Sequence, residues 1–484
     1  MRNLQKVNLI FPLVTGVACL LLFIIWIDLL LSQNLHPLYD KQAVFAVFAA
    51  ALFIFLLSFE RSLVVQLICI LITMFYFQRI IITYFFPFEL DYHEYVGFTR
   101  EQLSWTSIYL LLCVIAIAIG TIVGKFLPTR IYSQNGTKLY ANDKYISFFI
   151  FRVRFARLCR SALILFIILT FFQMWHMFYG FGVTGSTYDS SETILKWIVS
   201  IPTALSPFVL FSFIYFDKKS EIHVLAKYSL ILVFIAGFIT ASKGFLLGLL
   251  LSYYIIIRIL NRPLPRNFYL KAFILILFSI FIFFPVMKMF RHGFITGDFS
   301  IEYITSLGNV MLSFSHRLGA FDWTNLWLSV PSDILPASAS LKSEFIGALN
   351  KLVPGELISQ PEKVNLAKLQ VIVGRGFGDL AELGGHGENP AGLATAYIFF
   401  GKVGGGVYLM LWSALLVWVE RTHIHSMWKF VLITNYLVVF MIGGGFIILQ
   451  AAFYWYVLLS TLLSFILVFM SQVKDIILHP VNPI

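Results

Sequence analysis

Six residues have types and spacing suited to chemistry on an anionic group: Lys243, Arg291, Arg317, Asp322, His386 and Glu388. Lys243 stands in Ala241-Ser242-Lys243-Gly244, a short polar interruption between two apolar runs, and Lys288 and Arg291 leave the next apolar run on the same side. Three cations could meet there and grip phosphate; the competing reading is that each snorkels toward lipid headgroups, stem on apolar surface and charge in water. In Ser315-His316-Arg317-Leu-Gly-Ala-Phe-Asp322 the cation and the acid stand roughly a turn and a half of helix apart. They form either a surface ion pair or a cation that holds phosphate beside an acid that orients it or the acceptor. Residues 374–390 add Arg375, Asp379, Glu382, His386 and Glu388 among six glycines. Such a run takes shape when a ligand supplies its partners, although His386 and Glu388 can equally be plain loop residues.

Missing motifs narrow the chemistry further. The chain has no Walker loop, HExxH, GxSxG or DxD sequence, so ATP hydrolysis, zinc proteolysis and nucleotide-sugar transfer lose ground. Gly374-Arg375-Gly376-Phe377-Gly378 follows no strand of a βαβ unit and is read as a Gly-rich loop, not a dinucleotide site. Cys19, Cys69, Cys113 and Cys159 lie in or beside apolar runs without metal-ligand spacing. No disulfide framework, zinc or cofactor is expected.

The elements that must carry these residues are set by composition. With 59% hydrophobic and 12% charged residues, the chain reads as an all-α polytopic membrane protein, because its apolar runs repeatedly reach bilayer-crossing length. A β-barrel would show alternating polarity instead of runs such as Leu20-Leu21-Leu22-Phe23-Ile24-Ile25-Trp26. Spans are expected at 9–31, 43–59, 62–86, 105–126, 161–180, 194–216, 224–241, 244–260, 270–287, 404–420, 428–446 and 447–470. That makes twelve, or eleven to thirteen where closely spaced pairs are counted differently. The first run is too long for a signal-peptide core and is expected to stay as an anchor.

Orientation follows from basic residues. The loop 125–160 carries Lys125, Arg130, Lys138, Lys144, Arg152, Arg154, Arg157 and Arg160, and Lys218, Lys219, Arg262, Arg266 and Arg421 fall on the same side. That side is expected to be cytoplasmic. The net charge of +11 is explained by these loops, so nucleic acid is not an expected partner and membrane lipids are. Arg79, Arg100, Lys243, Lys288, Arg291, Arg317 and Arg375 face outward. The organisation is then 1–287, about nine spans with the basic loop; 288–389, a large outer loop; and 390–484, a short re-entrant helix and the last spans.

Within the outer loop, 301–307, 310–327 and 342–352 show helical spacing of apolar residues, with Trp323 and Trp327 four apart. These are expected to be helices on or between the spans. The apolar stretch 390–401, too short to cross, is expected to dip into the membrane before the chain turns through Gly404-Gly405-Gly406. Irregular backbone at that depth needs a covering cavity.

The order Ser242-Lys243-Gly244, Lys288 with Arg291, His316-Arg317-Leu-Gly-Ala-Phe-Asp322, Asn389-Pro390-Ala-Gly and Phe399-Phe400-Gly401-Lys402-Val403-Gly404 resembles the Wzy oligosaccharide repeat-unit polymerases over about 239–406. The family makes O-antigen, enterobacterial common antigen and capsule. The resemblance implies a GT-C-like, metal-independent glycosyltransferase of the bacterial inner membrane that uses undecaprenyl-pyrophosphate-linked oligosaccharides at the periplasmic face. It would transfer the growing chain to the non-reducing end of a new lipid-linked repeat, with a separate chain-length regulator as partner. Arg291 and Arg317 would hold pyrophosphate, Lys243 and His386 would be further donors, and Glu388 or Asp322 the base or acceptor-orienting group. Lys243 stands where the family often has arginine, and lysine binds phosphate as a point charge and not as a fork. An O-antigen ligase with the same donor, or a lipid-linked oligosaccharide flippase, are the alternative readings.

Overall fold

A computed structural model describes residues 10–32, 39–85, 100–129, 145–148, 151–180, 209–239, 245–283, 286, 320–329 and 392–443. Where apolar runs cross a bilayer, every backbone N–H and C=O must bond within the chain, and the helix does this locally. Accordingly the chain builds α1 (Ile10–Leu31), α2 (Lys41–Ser58), α3 (Leu63–Ile72), a π turn (Thr73–Phe77), α4 (Gln78–Phe85) and α5 (Arg100–Phe126). A hairpin of β1 (Tyr145–Phe148) and β2 (Phe151–Arg154) precedes α6 (Phe155–Gly180), followed by α7 (Glu221–Ile239), α8 (Phe245–Ile259) and α9 (Phe268–Phe278). Then come α10 (Ala320–Ser329), α11 (Gly392–Arg421), α12 (Ser426–Ile433) and, beyond a π turn (Thr434–Val439), α13 (Phe440–Gly443). Among the described residues, six helical stretches are long and apolar enough to cross a membrane: Ile10–Leu31, Lys41–Ser58, Leu63–Ile82, Arg100–Phe126, Phe155–Phe172 and Gly392–Arg421. The protein is thus helical and multi-pass, the hairpin being its departure from an all-helical chain among the described residues. It shortens the expected basic loop too, because α6 begins at Phe155 and takes in Arg157 and Arg160.

Contacts between distant segments gather several basic residues at one end. Lys125 pairs with Glu60 at 2.6 Å, Arg421 donates to the Gly124 carbonyl at 3.1 Å, and Arg262 donates to the Tyr215 carbonyl at 2.9 Å. His425 lies against Phe155 with ring centroids 4.5 Å apart. At the same end Glu420 closes the start of α3, accepting from Leu63 N at 2.7 Å and Val64 N at 3.2 Å. A carboxylate there satisfies N–H groups that have no partner inside the helix and complements its positive end. The opposite end carries Asp40, which caps α2 by accepting from Ala43 N at 2.6 Å and takes the Ser104 hydroxyl at 2.5 Å. Tyr84 donates to Asp28 there as well.

The tightest helix pair is α5 against α11. Gly120 and Gly124 on α5 leave no room for a side chain: a Cβ at Gly120 would stand 2.1 Å from the Met410 carbonyl oxygen, and one at Gly124 2.5 Å from that of Ala414. Small residues four apart let two backbones touch, which is how helices associate where lipid removes the hydrophobic drive. Away from this seam, Ile108, Ile115, Ile119 and Ile122 form an exposed apolar stripe on α5, and Val403, Val407, Leu411 and Leu415 one on α11. Stripes of that extent suit contact with lipid.

The stretch 392–421 is two helices broken at Gly401, whose φ of 71° and ψ of −173° are open essentially to glycine alone. The first segment folds back onto the second, since a Cβ on Gly405 would lie 3.1 Å from the Ala396 carbonyl. The expected short helix before the last spans is therefore present from Gly392 onward. Its turn is at Gly401 and not through Gly404-Gly405-Gly406, which are helical; those glycines serve close packing, with Gly405 against Tyr109 and Gly406 against Leu112.

Candidate functional site

At the end opposite the basic loops, the start of α11 is seated on two tyrosines. The Leu393 N–H donates to the Tyr76 hydroxyl oxygen at 3.3 Å, and the Tyr109 hydroxyl donates to the Leu393 carbonyl at 3.1 Å. Tyr76 lies in the π turn, fully buried, and also hydrogen-bonds Thr324 of α10. Thr106 of α5 donates to the Asn325 side-chain oxygen at 2.6 Å. The buried Phe321, Thr324 and Asn325, with partly buried Leu328, form one face of α10 at helical spacing, and that helix packs against α4, α5, α11 and the π turn. Four chain segments thus share one buried polar junction.

Arg79 belongs to this region. It follows the π turn by two residues and has 0% of its surface exposed, held by contacts within the protein. An arginine at membrane depth is costly unless it faces the bundle interior and is compensated there, so such residues mark functional places by default. π turns recur at functional sites for a related reason: the extra residue re-aims the side chains that follow. The sequence signal was a single charge, Gln78-Arg79-Ile80, inside an apolar run; sequence reasoning placed Arg79 among outward cations but not in the site.

Aromatic groups wall the folded-back segment. Phe400 stacks on Tyr408 at 5.0 Å, Phe440 lies 5.1 Å from Trp412, and a Cβ on Gly392 would meet the Phe440 ring at 2.9 Å. At the apex Lys402 sits over the Trp105 ring at 4.6 Å, a cation–π contact that ties the Gly401 turn to α5.

Of the residues singled out from sequence, Lys243, Arg291, Arg317, His386 and Glu388 lie outside the described residues, as does Gly374-Arg375-Gly376-Phe377-Gly378. Asp322 lies in α10, the helix expected near Trp327, and its side chain is outside them as well. Among the described residues no three His, Cys or carboxylate side chains gather to hold a metal ion. Comparison with protein-family models, curated proteins and solved structures finds no match to this chain.

Proposed function

We propose that this chain is a Wzy-type polymerase of undecaprenyl-pyrophosphate-linked oligosaccharide repeats, working at the periplasmic face of the bacterial inner membrane through about twelve crossings in a GT-C-like arrangement. The observation that supports it is the buried junction at Tyr76 and Tyr109, on which α10 and the start of α11 are both anchored, with the fully buried Arg79 three residues on from Tyr76. Arg317 precedes α10 by three residues and Glu388 precedes α11 by four. The junction therefore holds together α10, which lies within the polar outer segment, and the start of α11, which follows it.

In this reading Arg291 and Arg317 bind the donor pyrophosphate, and Lys243 and His386 donate further hydrogen bonds. The acceptor hydroxyl oxygen attacks the anomeric carbon of the growing chain while the carbon–oxygen bond to pyrophosphate breaks. The hydroxyl proton passes to Glu388 or Asp322, and undecaprenyl pyrophosphate leaves with the electron pair. Fixed guanidinium charges stabilise that leaving group without depending on pH, and Arg79 adds a permanent positive charge beneath the site. Chain length is set with a separate regulator.

The test is the surface-polysaccharide gel profile of a deletion strain complemented with wild type, Arg291→Ala, Arg317→Ala or Arg79→Ala at matched abundance. The polymerase reading expects the deletion to collapse the ladder to a single repeat, with the variants failing to restore it. Polymer retained on the lipid carrier would instead indicate a ligase. A ladder unchanged by deletion overturns the reading.

A further inference from the structure

Beyond the Gly401 turn, α11 runs parallel to α5. Lys402 meets Trp105 at one end, its Nζ 4.6 Å from the ring centroid, and Arg421 reaches the Gly124 carbonyl at the other, 3.1 Å away. At roughly 1.5 Å per residue, Lys402 to Arg421 spans about 28 Å, close to the hydrocarbon thickness of a bilayer. Lys402 therefore stands at headgroup depth in the leaflet opposite the basic loops. Between the two ends the helix seam comes to the surface. Gly405 faces the buried Tyr109, whereas Gly406 faces Leu112, which is 38% exposed. At about 100° of turn per residue, Val403 and Val407 lie beyond Gly406 on the side away from Gly405, and Trp105 and Ile108 share the face of Leu112. All four are exposed. Because Gly406 has no side chain, the result is a shallow trough, walled by Ile108 and Leu112 on one side and Val403 and Val407 on the other, with Lys402 on Trp105 at its head.

Charge says what fills it. Lys402 is exposed, and among the described residues no carboxylate pairs with it. The indole ring takes one side of the ammonium, and lysine carries three N–H donors, so donors remain for a phosphate. Tryptophan suits this depth as well, since its ring is at home where hydrocarbon meets headgroups. We propose that this trough binds one anionic glycerophospholipid of that leaflet, its phosphate on Lys402 and an acyl chain along Gly406 between the two walls. A phosphodiester without an amine complements a lone cation, whereas a choline or ethanolamine headgroup sets a second ammonium beside Lys402. The bound lipid braces the Gly401 turn, which Lys402 directly follows. None of this depends on the polymerase reading.

The test is native mass spectrometry of the full-length protein titrated with phosphatidylglycerol or phosphatidylcholine, paired with photocrosslinking by a phosphatidylglycerol that carries a diazirine on one acyl chain. Wild type is expected to retain phosphatidylglycerol in preference to phosphatidylcholine and to crosslink within 105–112 and 403–407. Lys402→Gln should weaken retention about fivefold and Lys402→Arg should keep it. Arg266→Gln, which removes an exposed cation among the basic loops, should leave the crosslink unchanged. Val407→Trp, which fills the trough without altering the cation, should abolish it. Equal retention of the two headgroups overturns the proposal, as does wild-type binding by Lys402→Gln or crosslinking confined to other segments. Displacement of phosphatidylglycerol by equimolar undecaprenyl phosphate overturns it too, by giving the trough to a polyprenyl lipid. Variants are compared only where they melt at the wild-type temperature. If Lys402→Gln melts lower, Val407→Trp decides, and an undiminished crosslink there overturns the proposal.

Discussion

Tyr109 and Leu393, far apart in sequence, meet through a hydroxyl-to-carbonyl hydrogen bond of 3.1 Å, and the same peptide unit is held on its N–H side by Tyr76. The start of α11 is thereby fixed to α5 and to the π turn by one residue's backbone. Both partners are buried, so losing either bond strands a polar group away from water.

Tyr109→Phe and Tyr76→Phe should each destabilise the protein by about 1–3 kcal/mol, the cost of leaving a buried partner unsatisfied. Because the two bonds hold one residue, the double variant should cost less than the sum. Denaturation in detergent, run as a double-mutant cycle, measures both. Strict additivity would mean that the two tyrosines act independently.

Gly120→Ala should lower stability by about 1–3 kcal/mol or more through overpacking, since the new Cβ faces the Met410 carbonyl and the Ser413 hydroxyl at 2.1 Å. Gly248→Ala is the internal control: nothing lies within 4 Å of its Cβ, and alanine gains roughly 0.5–1 kcal/mol over glycine inside a helix. Melting temperatures should shift in opposite directions.

Gly401→Ala meets no steric obstacle, so its effect isolates backbone strain. With φ 71° and ψ −173°, a destabilisation on the order of 1–3 kcal/mol is expected. Gly401→Asn should not rescue it, because asparagine tolerates the left-handed helical region but not this one. Thermal unfolding of both variants decides the matter.

Glu420→Ala should cost about 1–2 kcal/mol as a lost helix cap, for it removes the acceptor of the Ser62 hydroxyl and of two backbone N–H groups at the start of α3. Lys125→Ala, which breaks an ion pair whose partners are 36% and 42% exposed, should change stability by under about 1 kcal/mol. Comparable losses from both would place the clamp at this end in surface charge and not in capping.

On the polymerase reading proposed above, Arg79→Ala at matched abundance should abolish polymer, while Arg79→Lys should retain part of it if the fixed charge is what matters, since lysine keeps the charge but not the planar fork. The ladder intensity on a gel reports the difference. Full activity of Arg79→Ala would remove Arg79 from the site.

Sequence alone determined that this chain is helical and multi-pass, because a run of about twenty apolar residues has one economical way to bond its backbone in lipid. It placed α10 through the spacing around Trp327, and the short helix ahead of the final spans through its length. Faces inside the spans were not legible, because a helix apolar all round carries no stripe to tell lipid from neighbour. Hence Arg79 read as an outward cation, although folding buries it completely. Gly120 and Gly124 gained meaning only when Met410 and Ala414 stood against them. Among the glycines from 401 to 406 any could have made the turn; tertiary packing gave it to Gly401, because Tyr109 and Leu112 already occupied the space beside Gly405 and Gly406.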